Sequence, residues 1–268
     1  MADTAAERDG TWRRYEHVRW TDVAVPIQAG LVWMGLLVVA VAIALPVLAN
    51  LGLSSKQVTG AIPVAMRQPL TLQLITATSD LVLVFFLWRI ARRVADSAMV
   101  ARYRPVRGVL LVIAALGGFA LAVITMVVLA QLYQRGILKP HPINPREQMF
   151  GPGSIYQYPV VLLTVAIIAP FAEEFYFRGI LLSWLSRKIY VVPAAFASAA
   201  IFALLHFRYV SHPGLEGWML TGLIAVVGLV NATLALRTRS LWPPFAFHAA
   251  YNGTLAGIAI VPLLLAGH

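Results

Sequence analysis

Apolar runs of about twenty residues, separated by short polar stretches, recur along the chain. Seven stand out: 26–49, 69–90, 108–131, 157–183, 191–207, 215–236 and 243–265. A membrane-spanning helix needs about 20 apolar residues, and each run approaches or exceeds that except the fifth, which is short. The pattern predicts an all-α fold: a polytopic membrane helical bundle of about seven transmembrane helices. Before the first run lies a polar segment of mixed sign with Trp12, Arg13, Arg14, Tyr15, Arg19 and Trp20. That mixture suits the lipid headgroup region. The first run is too long for the apolar part of a signal peptide. The chain therefore divides into an interfacial segment at 1–25, three helices with their loops at 26–150, and a four-helix region at 151–268. Residues 139–154 carry Pro140, Pro142, Pro145 and Pro152 with Gly151 and Gly153. They read as a stiff external loop that punctuates the chain.

Several polar residues interrupt the runs. The fourth contains Ala172-Glu173-Glu174-Phe175-Tyr176-Phe177-Arg178. Each charge at that depth costs roughly 2.5–3.5 kcal/mol on insertion scales, so the groups must pair or perform chemistry. Glu174 and Arg178 are four apart and share a helix face, which suits an ion pair. Glu173 lies about 100° round the helix from Glu174, where Arg178 neutralises it less well. A carboxylate left in apolar surroundings suits a general base. A purely structural buried salt bridge is the competing reading. With these bounds, Glu173 is about 24 Å along run four, and His206 is as far along run five in the opposite direction. His248 sits near the inner end of run seven. Straight, perpendicular helices would not bring the three together.

Run five is rich in small residues (Ala194, Ala195, Ala197, Ser198, Ala199, Ala200), which permit close helix approach. It carries Phe202 and His206 four apart on one face. In run seven, Pro243-Pro244 start the helix, and His248 and Asn252 project from one face about a turn inside. Such a pair suits either a developing oxyanion or the gluing of two helices. Asp80 in run two reads as a structural hydrogen-bonding group facing the bundle interior. Asn231 reads as a helix–helix contact and His212 as a loop residue.

Charge sets the orientation. The chain is 60% hydrophobic and 12% charged, with a formal net charge of +10. Lysine and arginine cluster between the runs: Arg89, Arg92, Arg93, Arg102, Arg104 and Arg107 lie in one loop. The N-terminal segment, the Arg187-Lys188 loop and the Arg237–Arg239 loop share that side. Their excess predicts a cytoplasmic N-terminus and, with seven spans, an external C-terminus. The cations are topology signals, so a nucleic-acid partner is not expected. Cysteine is absent, which removes disulfides, thiol catalysis and cysteine-ligated zinc.

Taken in order, Glu173-Glu174…Arg178, Phe202…His206 and His248…Asn252 resemble the CPBP family of intramembrane proteases. That family includes type II CAAX prenyl endopeptidases and many bacterial relatives. The resemblance covers about 157–255. It implies a helical bundle with a polar cavity inside the membrane, and peptide hydrolysis by glutamate-activated water. Carried over, Glu173 is the general base, and His206 positions the water or polarises the carbonyl. His248 and Asn252 form the oxyanion site, Glu174 and Arg178 are accessory, and Phe202 lines the cavity. The implied partners are the bilayer and a membrane-associated peptide or protein substrate. The implied location is the bacterial inner (plasma) membrane.

Two other readings use the same residues. In one, Glu173, His206 and His248 are zinc ligands with one open position. No His-Glu-x-x-His motif is present and asparagine is a poor zinc ligand, so no cofactor is expected. In the other, the chain is a non-catalytic membrane protein of scaffold or bacteriocin-immunity type. The absence of an evident internal repeat gives a transporter little support.

Overall fold

The computed structural model describes residues 101–138, 157–206 and 215–265, with eight positions between Ala77 and Trp88. The first predicted span, most of the second, the 139–154 loop and His212 lie outside the described residues. The described residues are helical and contain no strand. Helix α1 is Gly108–Gln134. Helix α2 runs from the segment Gln157–Leu163 through to the segment Leu182–Lys188. Helices α3 (Val191–Leu205), α4 (Leu215–Thr238) and α5 (Trp242–Leu265) complete the series. Among the described residues, three helices are long and apolar enough to cross a membrane: α1, Tyr158–Lys188 of α2, and Gly217–Thr238 of α4. The outward residues of α1, including Ile113, Leu116, Phe119 and Ile124, are apolar and exposed, as a lipid-facing surface requires.

Helix α2 continues five residues beyond its predicted end and takes Arg187 and Lys188 into its last turn. No glycine or proline stands between Ser183 and Lys188. The serines there do not interrupt the helix. The Ser183 hydroxyl donates to the Gly179 carbonyl (2.6 Å) and the Ser186 hydroxyl to the Leu182 carbonyl (2.7 Å). Two stretches of α2 widen to π-helix, Thr164–Ile168 and Phe175–Leu181. The first closes just before Pro170, whose missing N–H and bulky ring are incompatible with a regular turn. The second spans Arg178, and π-bulges occur frequently at functional sites.

Two compact units divide the chain. One comprises Met1–Gln28, Leu87–Ala114 and Glu173–Phe247; the other comprises Ala29–Phe86, Ala115–Ala172 and His248–His268. In the first unit, Leu182, Ala194, Ala195 and Ala232 form a buried cluster, with Leu185, Leu229 and Leu236 packed on it. The small residues of α3 bring it against α4, as expected. A Cβ built on Gly228 would lie 3.1 Å from the Ala199 Cα, so only glycine fits without a shift. The same unit holds a clasp. The Leu241 N–H donates to the Arg102 carbonyl (2.7 Å), and the Ser240 hydroxyl donates to the Arg104 carbonyl (2.7 Å). Residues 102–104 are thereby tied to the α4–α5 turn, where Arg239 takes a left-handed φ of 51°. In the second unit, Tyr158 and Val161 of α2 pack on Ala256, Ala259 and Ile260 of α5. Asp80 is helical and buried, in line with its reading as an inward-facing group.

Candidate active site

The two glutamates of α2 have different surroundings. Glu174 and Arg178 are both fully buried and form the expected i,i+4 ion pair, Nη1 to Oε1 at 3.1 Å. The same carboxylate oxygen accepts a bond from Asn231 Nδ2 of α4 at 2.9 Å. The second arm of the guanidinium, Nη2, donates to the Gly228 carbonyl at 2.9 Å. Glu174 is thus held in a buried structural network between α2 and α4. Glu173, one residue earlier, is only half-buried.

The guanidinium also meets two aromatic rings. Arg178 Cζ lies 4.6 Å from the Phe202 centroid and 5.6 Å from that of Phe177. Contacts of this kind reach about 2 kcal/mol when desolvated. Phe177 and Phe202 pack edge to face at 5.0 Å. The Ser198 hydroxyl donates to the Phe177 carbonyl (3.3 Å), which adds a polar tie between α2 and α3. Phe202 is fully buried, with Arg178 over its ring and His206 beside it.

His206 stands just beyond the last turn of α3, with φ −80° and ψ 47°. The sequence places it inside the helix; here the helix ends one residue earlier. Its shared face with Phe202 survives, because the two rings lie 4.6 Å apart and tilted by 58°. Its Nδ1 sits 2.8 Å from the Phe202 carbonyl oxygen. A carbonyl only accepts, so Nδ1 carries the hydrogen and Nε2 presents its lone pair outward when the ring is neutral.

The extra length of α2 changes the residue counts: Glu173 lies fifteen residues before Lys188, and His206 fifteen after Val191, with two residues joining the helices. The register agrees: Phe177 faces Phe202, and Glu173 is one turn from Phe177 as His206 is from Phe202.

His248 and Asn252 belong to the other unit. His248 is buried and Asn252 half-buried. Asn252 Nδ2 donates to the Val165 carbonyl at 3.1 Å. That carbonyl has a particular need. At the end of the π stretch, the Ala169 N–H bonds back five residues to Thr164. The next such bond would run from residue 170 to Val165, and Pro170 has no N–H to make it. Asn252 supplies the missing donor and keeps its other N–H for a second acceptor.

Residues 155–254 match the family model described as type II CAAX prenyl endopeptidase Rce1-like. The resemblance carried by the three motifs is thereby shown for this segment, which contains Glu173, Glu174, Arg178, Phe202, His206, His248 and Asn252. No curated protein and no solved structure matches the chain. Among the described residues, no three histidine, aspartate or glutamate side chains gather as metal ligands.

Sequence reasoning assigned Asn231 only a helix–helix contact and passed over Gly228 and Tyr103. The signal for the first two was present, since Gly228 lies within the apolar stretch Leu223–Val230 and Asn231 follows it three residues on. Tyr103 left no such signal. It lies in the clasped loop, edge to face with Phe175 (6.0 Å) and Trp242 (4.9 Å). Burial, and then the charge of Glu174, push its phenol well above the ordinary value, so it stays neutral.

Proposed function

We propose that this protein is a CAAX-type intramembrane endopeptidase that hydrolyses a peptide bond with glutamate-activated water. The observation that carries the reading is the division of labour between adjacent carboxylates. Glu174 is committed to Arg178 and Asn231, while Glu173, one residue earlier, is half-buried. In the reaction, Glu173 takes a proton from water and the resulting hydroxide adds to the scissile carbonyl. The Nε2 lone pair of His206 accepts a hydrogen bond from the same water and orients it. His248 and the second N–H of Asn252 donate to the oxyanion of the tetrahedral intermediate. Glu173 then returns its proton to the leaving amine. No step calls on a metal ion or other cofactor. Zinc held by Glu173, His206 and His248 is the alternative that a chelator tests: complete loss of cleavage, restored by zinc, would replace the glutamate mechanism.

The same reading places the chain in a bacterial inner membrane with seven spans and a cytoplasmic N-terminus. Its substrate is a membrane-associated peptide or protein. Comparing the proteomes of membranes containing the wild type or Glu173→Gln identifies the substrate. Processed termini should appear only with the wild type, while both proteins stay folded. Full processing by Glu173→Gln would reject the assignment of the base.

A further inference from the structure

A residue without a functional group decides where His206 points. We infer that Gly228 of α4 is a positioning residue for His206, acting through Arg178 and Phe202; its catalytic consequence rests on the reading above. His206 has left the helix, so regular helical backbone no longer aims its ring. Among the described residues, the hydrogen bond of the imidazole and its ring contact both go to Phe202. The Phe202 carbonyl therefore holds the imidazole nitrogen, and the Phe202 ring holds the imidazole plane against it, so a displaced ring lets the imidazole turn away from the carbonyl. Phe202 is in turn fixed by Arg178, whose guanidinium lies over its face. The guanidinium is planar, so two bonds in different directions fix its plane as well as its place. One goes to Glu174 within the same helix. The other goes to the Gly228 carbonyl, the external reference that ties the plane to α4.

The fit leaves no slack at Gly228. An alanine Cβ there would stand 3.1 Å from the Ala199 Cα, 3.2 Å from its Cβ and 3.3 Å from Arg178 Nη2. The first of these is backbone and cannot swing aside. Ala199 also belongs to α3, the helix that carries Phe202 and ends at His206. A methyl group at 228 thus pushes the carrier helix and the guanidinium together, along the whole path to the imidazole. Gly222, on the same helix, provides the control because a Cβ there meets nothing within 4 Å.

The test reads the imidazole directly. Wild type, Gly228→Ala, Phe202→Leu and Gly222→Ala are prepared with ¹⁵N-labelled histidine in detergent micelles, and His206→Gln assigns the His206 signals. In the wild type and Gly222→Ala, the neutral ring should be held with its hydrogen on Nδ1. In Gly228→Ala and Phe202→Leu, the Nε2–H form should become populated. Phe202→Leu keeps the backbone carbonyl and most of the volume, so it carries the test if Gly228→Ala does not fold. His206 signals that stay at wild-type positions in the folded variants, whatever happens to Tm, would overturn the proposal. This readout needs no substrate, so it stands or falls separately from the hydrolase reading. With a cleavable peptide in hand, kcat should fall by up to about 10²-fold while KM stays put. Displaced signals with unchanged kcat would remove the catalytic consequence.

Discussion

Two glutamates adjacent in the sequence differ in what their removal should do. Glu174 is fully buried against Arg178 and Asn231. Glu174→Gln leaves the guanidinium buried without its counter-ion, and breaking such a pair costs about 3–5 kcal/mol. A large drop in Tm is expected, together with loss of activity, and thermal denaturation in detergent measures it. Glu173→Gln keeps the shape of a half-buried side chain and leaves the Glu174–Arg178 pair intact, so it should cost less stability than Glu174→Gln. At Asn252 the helix-joining bond is present, and the proposed oxyanion role would be held by the same amide. Its bond to Val165 replaces the one Pro170 cannot make, so Asn252→Ala should lose roughly 0.5–1.5 kcal/mol of stability. As an oxyanion donor it should also lose about 10²–10³ in kcat with KM little changed. Turnover per folded enzyme, measured alongside Tm, separates the two effects. Unchanged turnover would leave Asn252 as helix glue alone.

At the scale of elements, much depends on where helices end and how closely they approach. The five extra residues of α2 put Glu173 as many residues from the α2–α3 turn as His206, and the small face of α3 lets Gly228 reach both Ala199 and Arg178. The Ser240 hydroxyl ties the α4–α5 turn to residues 102–104, and the Thr238 hydroxyl bonds the Ser240 backbone within it. Ser240 Oγ donates to the Arg104 carbonyl and accepts from the Trp242 N–H at 3.2 Å. Ser240→Ala removes both bonds, each contributing about 0.5–1.5 kcal/mol. It should lower Tm, and Ser240→Thr, which keeps the hydroxyl, should restore most of the loss. A Ser240→Ala protein as stable as the wild type would show that the clasp is held by the Leu241–Arg102 backbone bond alone.

For the whole molecule, the clasp bears on sidedness. Residues 102–104 and 240–241 are in direct contact, so both loops lie on one side of the membrane. The charge count puts both on the cationic side, which should be cytoplasmic. Reporter fusions after residues 105 and 239 should therefore give the same cytoplasmic signal. A reporter active only outside at either site would overturn the orientation. The all-helical character, the ion pair of Glu174 with Arg178 and the resemblance of residues 155–254 to the type II CAAX endopeptidase model were legible in the chain, because each depends on local spacing. Apolar run length, an i,i+4 offset and ordered motifs survive without knowledge of neighbours. The length of α2 beyond Glu173, the grip of Gly228 and Asn231 on the buried pair, and the bond from Asn252 to Val165 were not legible. Each is set by which helix lies beside which, and by how far a helix continues once its serines bond back to its own backbone. Only side chains and carbonyls brought together from distant positions decide those things, and the spacing of residues along one helix holds no record of them.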